Sequence, residues 1–266
     1  MAVDTHTPHA PAASTTAPGT FTPAPRRASI ARLVAAQGRV ETRLFLRHGE
    51  QQLLSLIIPL GMLFGLSAVP VLDTDDPMRD GFPMMLAIAA TSSGFTGQAI
   101  ALAFDRRYGA LKRTGASGVP SWTIIVGKII AVASMVVLQT VILGAVAWFL
   151  GWRTTPLGML MGAVVLIVGA AAFTAMGLLM GGTLSSEIVL ALANLIWVVL
   201  VGIVGFVVYT HGLTGTTWWD LIPSVALASG LTDAFTGTVP WPQLASLAIW
   251  AIAVSAATTR WFRFSS

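Results

Sequence analysis

The chain has 266 residues, of which 55% are hydrophobic and only 10% charged, with a mean hydropathy of +0.78 and a formal net charge of +4. A soluble domain carries about a quarter of its residues as charges, so the composition argues against a water-soluble fold and for lipid-facing helices that close their own backbone hydrogen bonds. Cysteine is absent, which removes disulfides and thiolate metal sites, and the four histidines, His6, His9, His48 and His211, are too scattered for a shared metal centre.

Residues 1–27 hold Pro8, Pro11, Pro18, Pro23 and Pro25 among Thr, Ala and Ser. No apolar run there could serve as a signal-peptide core, and the tail is expected to be disordered. Over 28–50 the pattern becomes helical. Ile30, Leu33, Val34, Val40, Leu44 and Phe45 fall in one arc, and Arg32, Arg39, Arg43 and Arg47 in another. A basic amphipathic helix of this kind lies on the cytoplasmic membrane surface, its arginines toward anionic lipid. Glu41 sits inside the apolar arc, so a partner within the protein is expected for it.

Residues 51–266 form the expected membrane domain. Six nearly uncharged segments run from Leu53 to Val71, Phe82 to Phe104, Trp122 to Leu150, Leu157 to Gly182, Ile188 to Tyr209 and Gln243 to Thr259. Each is expected to be long enough to cross about 30 Å of hydrocarbon at about 1.5 Å per residue. Lys128 is the one charge inside them, and its place near the start of a long segment would let its ammonium snorkel to the interface. With the N-terminus inside, thirteen of the fifteen basic residues fall on the cytoplasmic side and only Arg79 and Arg153 outside. That asymmetry sets an N-in, C-in topology.

The outer segment from Thr210 to Pro242 is too long for a turn. Within it, Leu221 to Leu231 is apolar but too short to cross, so it reads as an interfacial or re-entrant helix between spans five and six. Trp218, Trp219 and Trp241 would sit at headgroup depth. The expected fold class is therefore an all-α membrane protein of six transmembrane helices.

Between spans two and three the inner loop carries Asp105, Arg106, Arg107, Tyr108, Gly109, Leu111, Lys112 and Arg113, then Gly115, Gly118 and Pro120 as breakers. A short helix with flexible ends fits this pattern, and it would protrude into the cytoplasm. Arg107, Gly109, Leu111, Pro120, Gly127 and Lys128 give the loop its resemblance to the permease subunits of type-2 ABC exporters, the family that includes daunorubicin-resistance-type drug and polysaccharide exporters. The helix before the first span, the six-span layout and the Leu221-Ile222-Pro223 element extend the likeness over most of the membrane part. Asp105, Arg106 and Lys112 depart from the family's acidic pattern.

The resemblance implies that the loop is a coupling helix seated on a cytosolic ATPase subunit, which would hold ATP and Mg, while this chain holds no cofactor and no catalytic residue. Gly127-Lys128 is not a Walker motif, because Trp122 stands where the first glycine belongs and Ile129 replaces the metal-binding hydroxyl. The expected partners are ABC ATPase subunits, a second permease copy or a paralogue, and membrane lipid, with no nucleic acid. The cargo would be a hydrophobic or amphipathic molecule, drug or lipid-like. An Arg-, Ala- and Gly-rich composition points to a bacterial plasma membrane.

Three small-residue pairs, Gly61/Gly65, Gly158/Gly162 and Gly177/Gly181, would let helices approach closely. The first is the candidate dimer surface. Among polar residues inside spans, Ser and Thr can return their hydroxyls to the helix backbone, whereas Gln98 and Asn194 have a poorer escape and are the candidate pathway residues. An ion-coupled carrier would need midplane carboxylates, and the spans contain no Asp or Glu. An intramembrane enzyme would need an acid, base or metal cluster, and no such motif is present. A non-transporting assembly role is the further alternative.

Overall fold

The computed structural model describes residues 28–47, 49–68, 76–110, 113, 116 and 121–261, without the side chains of 49–54 and 121. The tail over 1–27, Asp73 and Asp75, and Leu111, Lys112 and Pro120 of the inner loop lie outside them. All regular structure among the described residues is helical: α1 Ile30–Arg47, α2 Gly49–Ala68, α3 Pro77–Thr91, a π-helical segment Ser92–Gly97, α4 Gln98–Arg107, α5 Ser121–Phe149, α6 Pro156–Thr183, α7 Ser186–His211, a 3-10 turn Trp218–Leu221, α8 Pro223–Phe235 and α9 Trp241–Trp261. Among the described residues five helices are long and apolar enough to cross a membrane: Pro77–Arg107, Trp122–Phe149, Pro156–Thr183, Ser186–His211 and Trp241–Trp261. α2 adds a shorter apolar stretch over Ser55–Ala68. The protein is thus an all-α, multi-span membrane protein; the last residues of the expected first segment, up to Val71, lie outside the described ones.

Local chemistry sets the helix ends. Asp76 accepts a hydrogen bond from Met78 N, with Pro77 opening α3, and the Thr155 hydroxyl accepts from Gly158 N, with Pro156 opening α6. Side-chain oxygen at the N-cap satisfies an orphan amide, and proline at N1 has none to lose. At the inner end α4 stops at Tyr108, and Gly109 follows with φ +72°, a left-handed conformation that explains glycine at this place in the loop.

α3, the π segment and α4 form one continuous rod of 31 residues, almost wholly enclosed along α3, that runs down the centre of the molecule. Its length, about 46 Å at about 1.5 Å per residue, exceeds the hydrocarbon thickness, so an end must project. α6 packs along this rod, α9 along α6, and α1 along α5. α1 docks through buried Gly38 and Phe45 and leaves Ile30, Val40 and Leu44 at least half exposed beside its exposed arginines. Protein contact and an open apolar strip thus coexist on one amphipathic helix.

α8 is enclosed on every side: all of Pro223–Phe235 is buried, among α3, α6, α7 and α9. An apolar helix too short to cross can be accommodated when protein surrounds it. Trp218 and Trp241 beside it stay exposed.

Candidate functional site

The end of α4 carries the first half of the inner-loop motif, and its three charged residues turn back onto the protein. Lys128 Nζ donates to Asp105 Oδ2 at 3.3 Å and to Glu41 Oε2 at 3.1 Å. Gln37 Nε2 donates to the other Glu41 oxygen at 3.0 Å. Glu41 therefore has the partner its position called for. Lys128 departs from the snorkelling expectation: its side chain is only 5% exposed and bridges α1, α4 and α5. Packing of α1 and α4 against α5 puts two carboxylates within reach, and the ion pairs offset the burial of the ammonium.

Arg106 is buried. Its Nη1 donates to Gly181 O at 3.0 Å and Leu184 O at 3.1 Å, capping the C-terminal carbonyls of α6. A cation at a helix C-terminus also meets the negative end of the helix dipole. Arg107 reaches Glu187 Oε1 at 2.6 Å and Ser186 Oγ at 3.2 Å at the start of α7, in an exposed pair. The three charges nearest the loop thus tie α4 to α5, α6 and α7, and through the shared Lys128 to α1. Tyr108 and Arg113 remain exposed, with Gly109 between them.

Directly above this network a pocket of about 370 Å³ opens between α1, α4 and α5. Glu41, Asp105, Lys128 and Gln98 form its polar wall, and Phe45, Ile100 and Phe104 an apolar one. Gln98 is 2% exposed and its Oε1 accepts no hydrogen bond. The π-helical segment immediately before it adds a wider turn, which resets the face that Gln98 presents.

Asn194 stands elsewhere, exposed on α7, and donates from Nδ2 to Leu190 O at 2.8 Å. Its amide thus makes the backbone return expected to be poorer for Asn than for Ser and Thr. The two candidate pathway residues share no site.

The glycine pairs separate cleanly. A Cβ at Gly177 would collide with Phe95 O and one at Gly181 with Ala99 O, so α6 touches the central rod there backbone to backbone. Gly158 and Gly162 meet Ala234 and Phe235 of α8. Gly61 and Gly65 have nothing within 4 Å, leaving the candidate dimer face open in the single chain.

Polar groups that sequence reasoning did not single out complete the interior. Gln139 Nε2 donates to Ser55 Oγ at 3.1 Å and Ser93 Oγ at 2.9 Å, joining α2, α5 and the π segment. At the other end, buried Asp220 and Asp233 both accept from Gln243 Nε2, at 3.3 and 3.1 Å, and also from Thr217 N and Gly215 N. These carboxylates fasten α8 to its flanking turns, and their places in the outer segment gave no sign of burial. No group of three or more His, Cys, Asp or Glu able to hold a metal occurs among the described residues.

A family model described as ABC-2 type transporter matches residues 33–239. No curated protein matches the chain.

Proposed function

Because the chain belongs to the ABC-2 type transporter family, and so is a permease component of an ABC transporter, we propose that it is the export permease of a complex driven by separate cytosolic ATPase subunits. It sits N-in, C-in in a bacterial plasma membrane with six crossings, α2 supplying the first, and it pairs with a second copy or a paralogue through Gly61 and Gly65. ATP and Mg reside on the partner ATPase. The cargo is a hydrophobic or amphipathic molecule, drug or lipid-like.

The observation that carries this reading is the build of the inner end of α4. Tyr108 and Arg113 are exposed, while Asp105, Arg106 and Arg107 immediately before them grip α5, α6 and α7. An ATPase that pushed on the exposed segment would move those helices with it, so nucleotide could favour one arrangement of the permease over another. The pocket beside Gln98 gives cargo a polar contact and an apolar wall within reach of the inner surface.

The test is purification of the tagged chain from its native host. An ATPase bearing a Walker motif should accompany it in stoichiometric amount, and Arg113→Glu or Tyr108→Ala should weaken the association. Arg107 is the poorer probe, because its substitution also breaks the contact with Glu187. If no ATPase accompanies the unaltered chain, the reading is wrong.

A further inference from the structure

A second cavity, of about 560 Å³, lies between α5 and α6, away from the inner pocket. Its lining runs from Ala133 to Trp148 along α5 and from Met159 to Ala170 along α6. At about 1.5 Å per residue these stretches are about 22 and 16 Å long, so the cavity is a slot and not a bowl. Its walls are almost wholly hydrocarbon, Thr140 being the one hydroxyl-bearing residue, and that hydroxyl is already donated to Val136 O. The side of the slot is open, since Val137, Val141 and Ile167 are more than half exposed there.

The end of the slot near the α5–α6 connection is built differently. Phe82, Trp152 and Phe235 pack against one another with centroids 4.3 to 5.6 Å apart, the two phenylalanines stacked and Trp152 tilted or edge-on to them. Arg153 lies over the ring of Trp148, its Cζ 4.2 Å from the centroid, and Nη1 donates to Trp148 O and Trp152 O. The guanidinium is thereby fixed at the mouth. No carboxylate pairs with it among the described residues, and it remains exposed.

We infer that this slot binds one membrane lipid, an acyl chain lying between α5 and α6 and an anionic headgroup on Arg153. The length of the slot suits an extended chain, and its open side admits one from the bilayer without a passage through water. The fixed cation supplies a charge-assisted hydrogen bond to a phosphate oxygen. A zwitterionic headgroup brings its own cation beside Arg153 and is held less well. The site depends neither on an ATPase partner nor on the direction of transport.

Native mass spectrometry of the purified protein in detergent, with phosphatidylglycerol or phosphatidylcholine of identical acyl chains added, tests the assignment. The first phosphatidylglycerol should bind about fivefold tighter than phosphatidylcholine, the scale of one exposed ion pair. Arg153→Gln should bring the two lipids to parity, and Ala163→Phe, which fills the slot, should remove the tight first binding of either. Ala191→Phe, the same enlargement on the exposed face of α7, should change nothing. Equal binding of both lipids to the unaltered protein, or headgroup preference surviving in Arg153→Gln, overturns the proposal. So does an Ala163→Phe protein that keeps its lipid, or one that loses a dimer instead, which would assign the slot to a second copy. Should Ala163→Phe fail to fold, the Arg153→Gln comparison alone decides.

Discussion

At the scale of single residues, burial and pairing separate charges that look alike in the sequence. Lys128 is enclosed between Glu41 and Asp105, whereas Arg107 and Glu187 meet in the open. Removing one member of a buried pair leaves an uncompensated charge and costs roughly 3–5 kcal/mol; Asp105 is partly wet, so Lys128→Met should cost about 3 kcal/mol, toward the low end of that range. Thermal unfolding in detergent should show this loss, and adding Glu41→Gln and Asp105→Asn should restore most of it. Arg107→Ala should leave the unfolding curve in place. Gln98 gives the opposite expectation from a packing amide. With its Oε1 unbonded, Gln98→Leu relieves an unsatisfied buried group and should hold or raise stability. If Gln98 serves the cargo, transport should fall in the same variant, and a stable variant with full transport would remove it from the pathway. In the sequence the misplacement of Glu41 in an apolar arc was legible as a demand for a partner. The identity of that partner was not, because Lys128 is 87 positions away and only the packing of α1 on α5 brings them together.

At the scale of elements, hydropathy and length located the long apolar helices because a lipid-facing surface repeats the same demand over twenty or more residues, whereas the short helix expected in the inner loop includes residues outside the described ones. The π segment escaped notice: one added residue in a turn leaves no compositional mark, and glycine is common throughout this chain. Spacing alone also left the three glycine pairs equivalent, since it records the face that small residues share and not the neighbour that occupies it. The structure gives them distinct consequences. Gly177→Ala drives a methyl group into Phe95 O, where backbone must give way, and overpacking of this kind costs roughly 1–3 kcal/mol. Gly61→Leu meets open space, so the monomer's unfolding temperature should be unchanged while its self-association, followed by cross-linking in membranes, should weaken. If Gly61→Leu instead unfolds the monomer, the first pair belongs with the other two as internal packing.

For the whole molecule, the central rod of α3, π segment and α4 passes from the buried α8 region to the inner loop. At its inner end it is fastened to α5 by Asp105, to α6 by Arg106 and to α7 by Arg107, and Lys128 carries the link on to Glu41 of α1. The proposed docking surface and the side-chain contacts behind it are therefore adjacent in sequence but distinct in space, and they can be broken separately. Arg113→Glu alters the exposed surface and should reduce both ATPase association and transport. Arg106→Leu leaves Tyr108 and Arg113 untouched but removes two charged hydrogen bonds to the end of α6. Loss of about 1.4 kcal/mol of that coupling corresponds to about a tenfold change in the balance between conformations. The complex carrying Arg106→Leu should accordingly retain its ATPase in full stoichiometry while transport per ATP hydrolysed drops about tenfold, a rise in futile hydrolysis measured on the same reconstituted vesicles. Equal loss of association in both variants would mean that the grip of Arg106 only shapes the docking surface, and that force reaches α6 by another route.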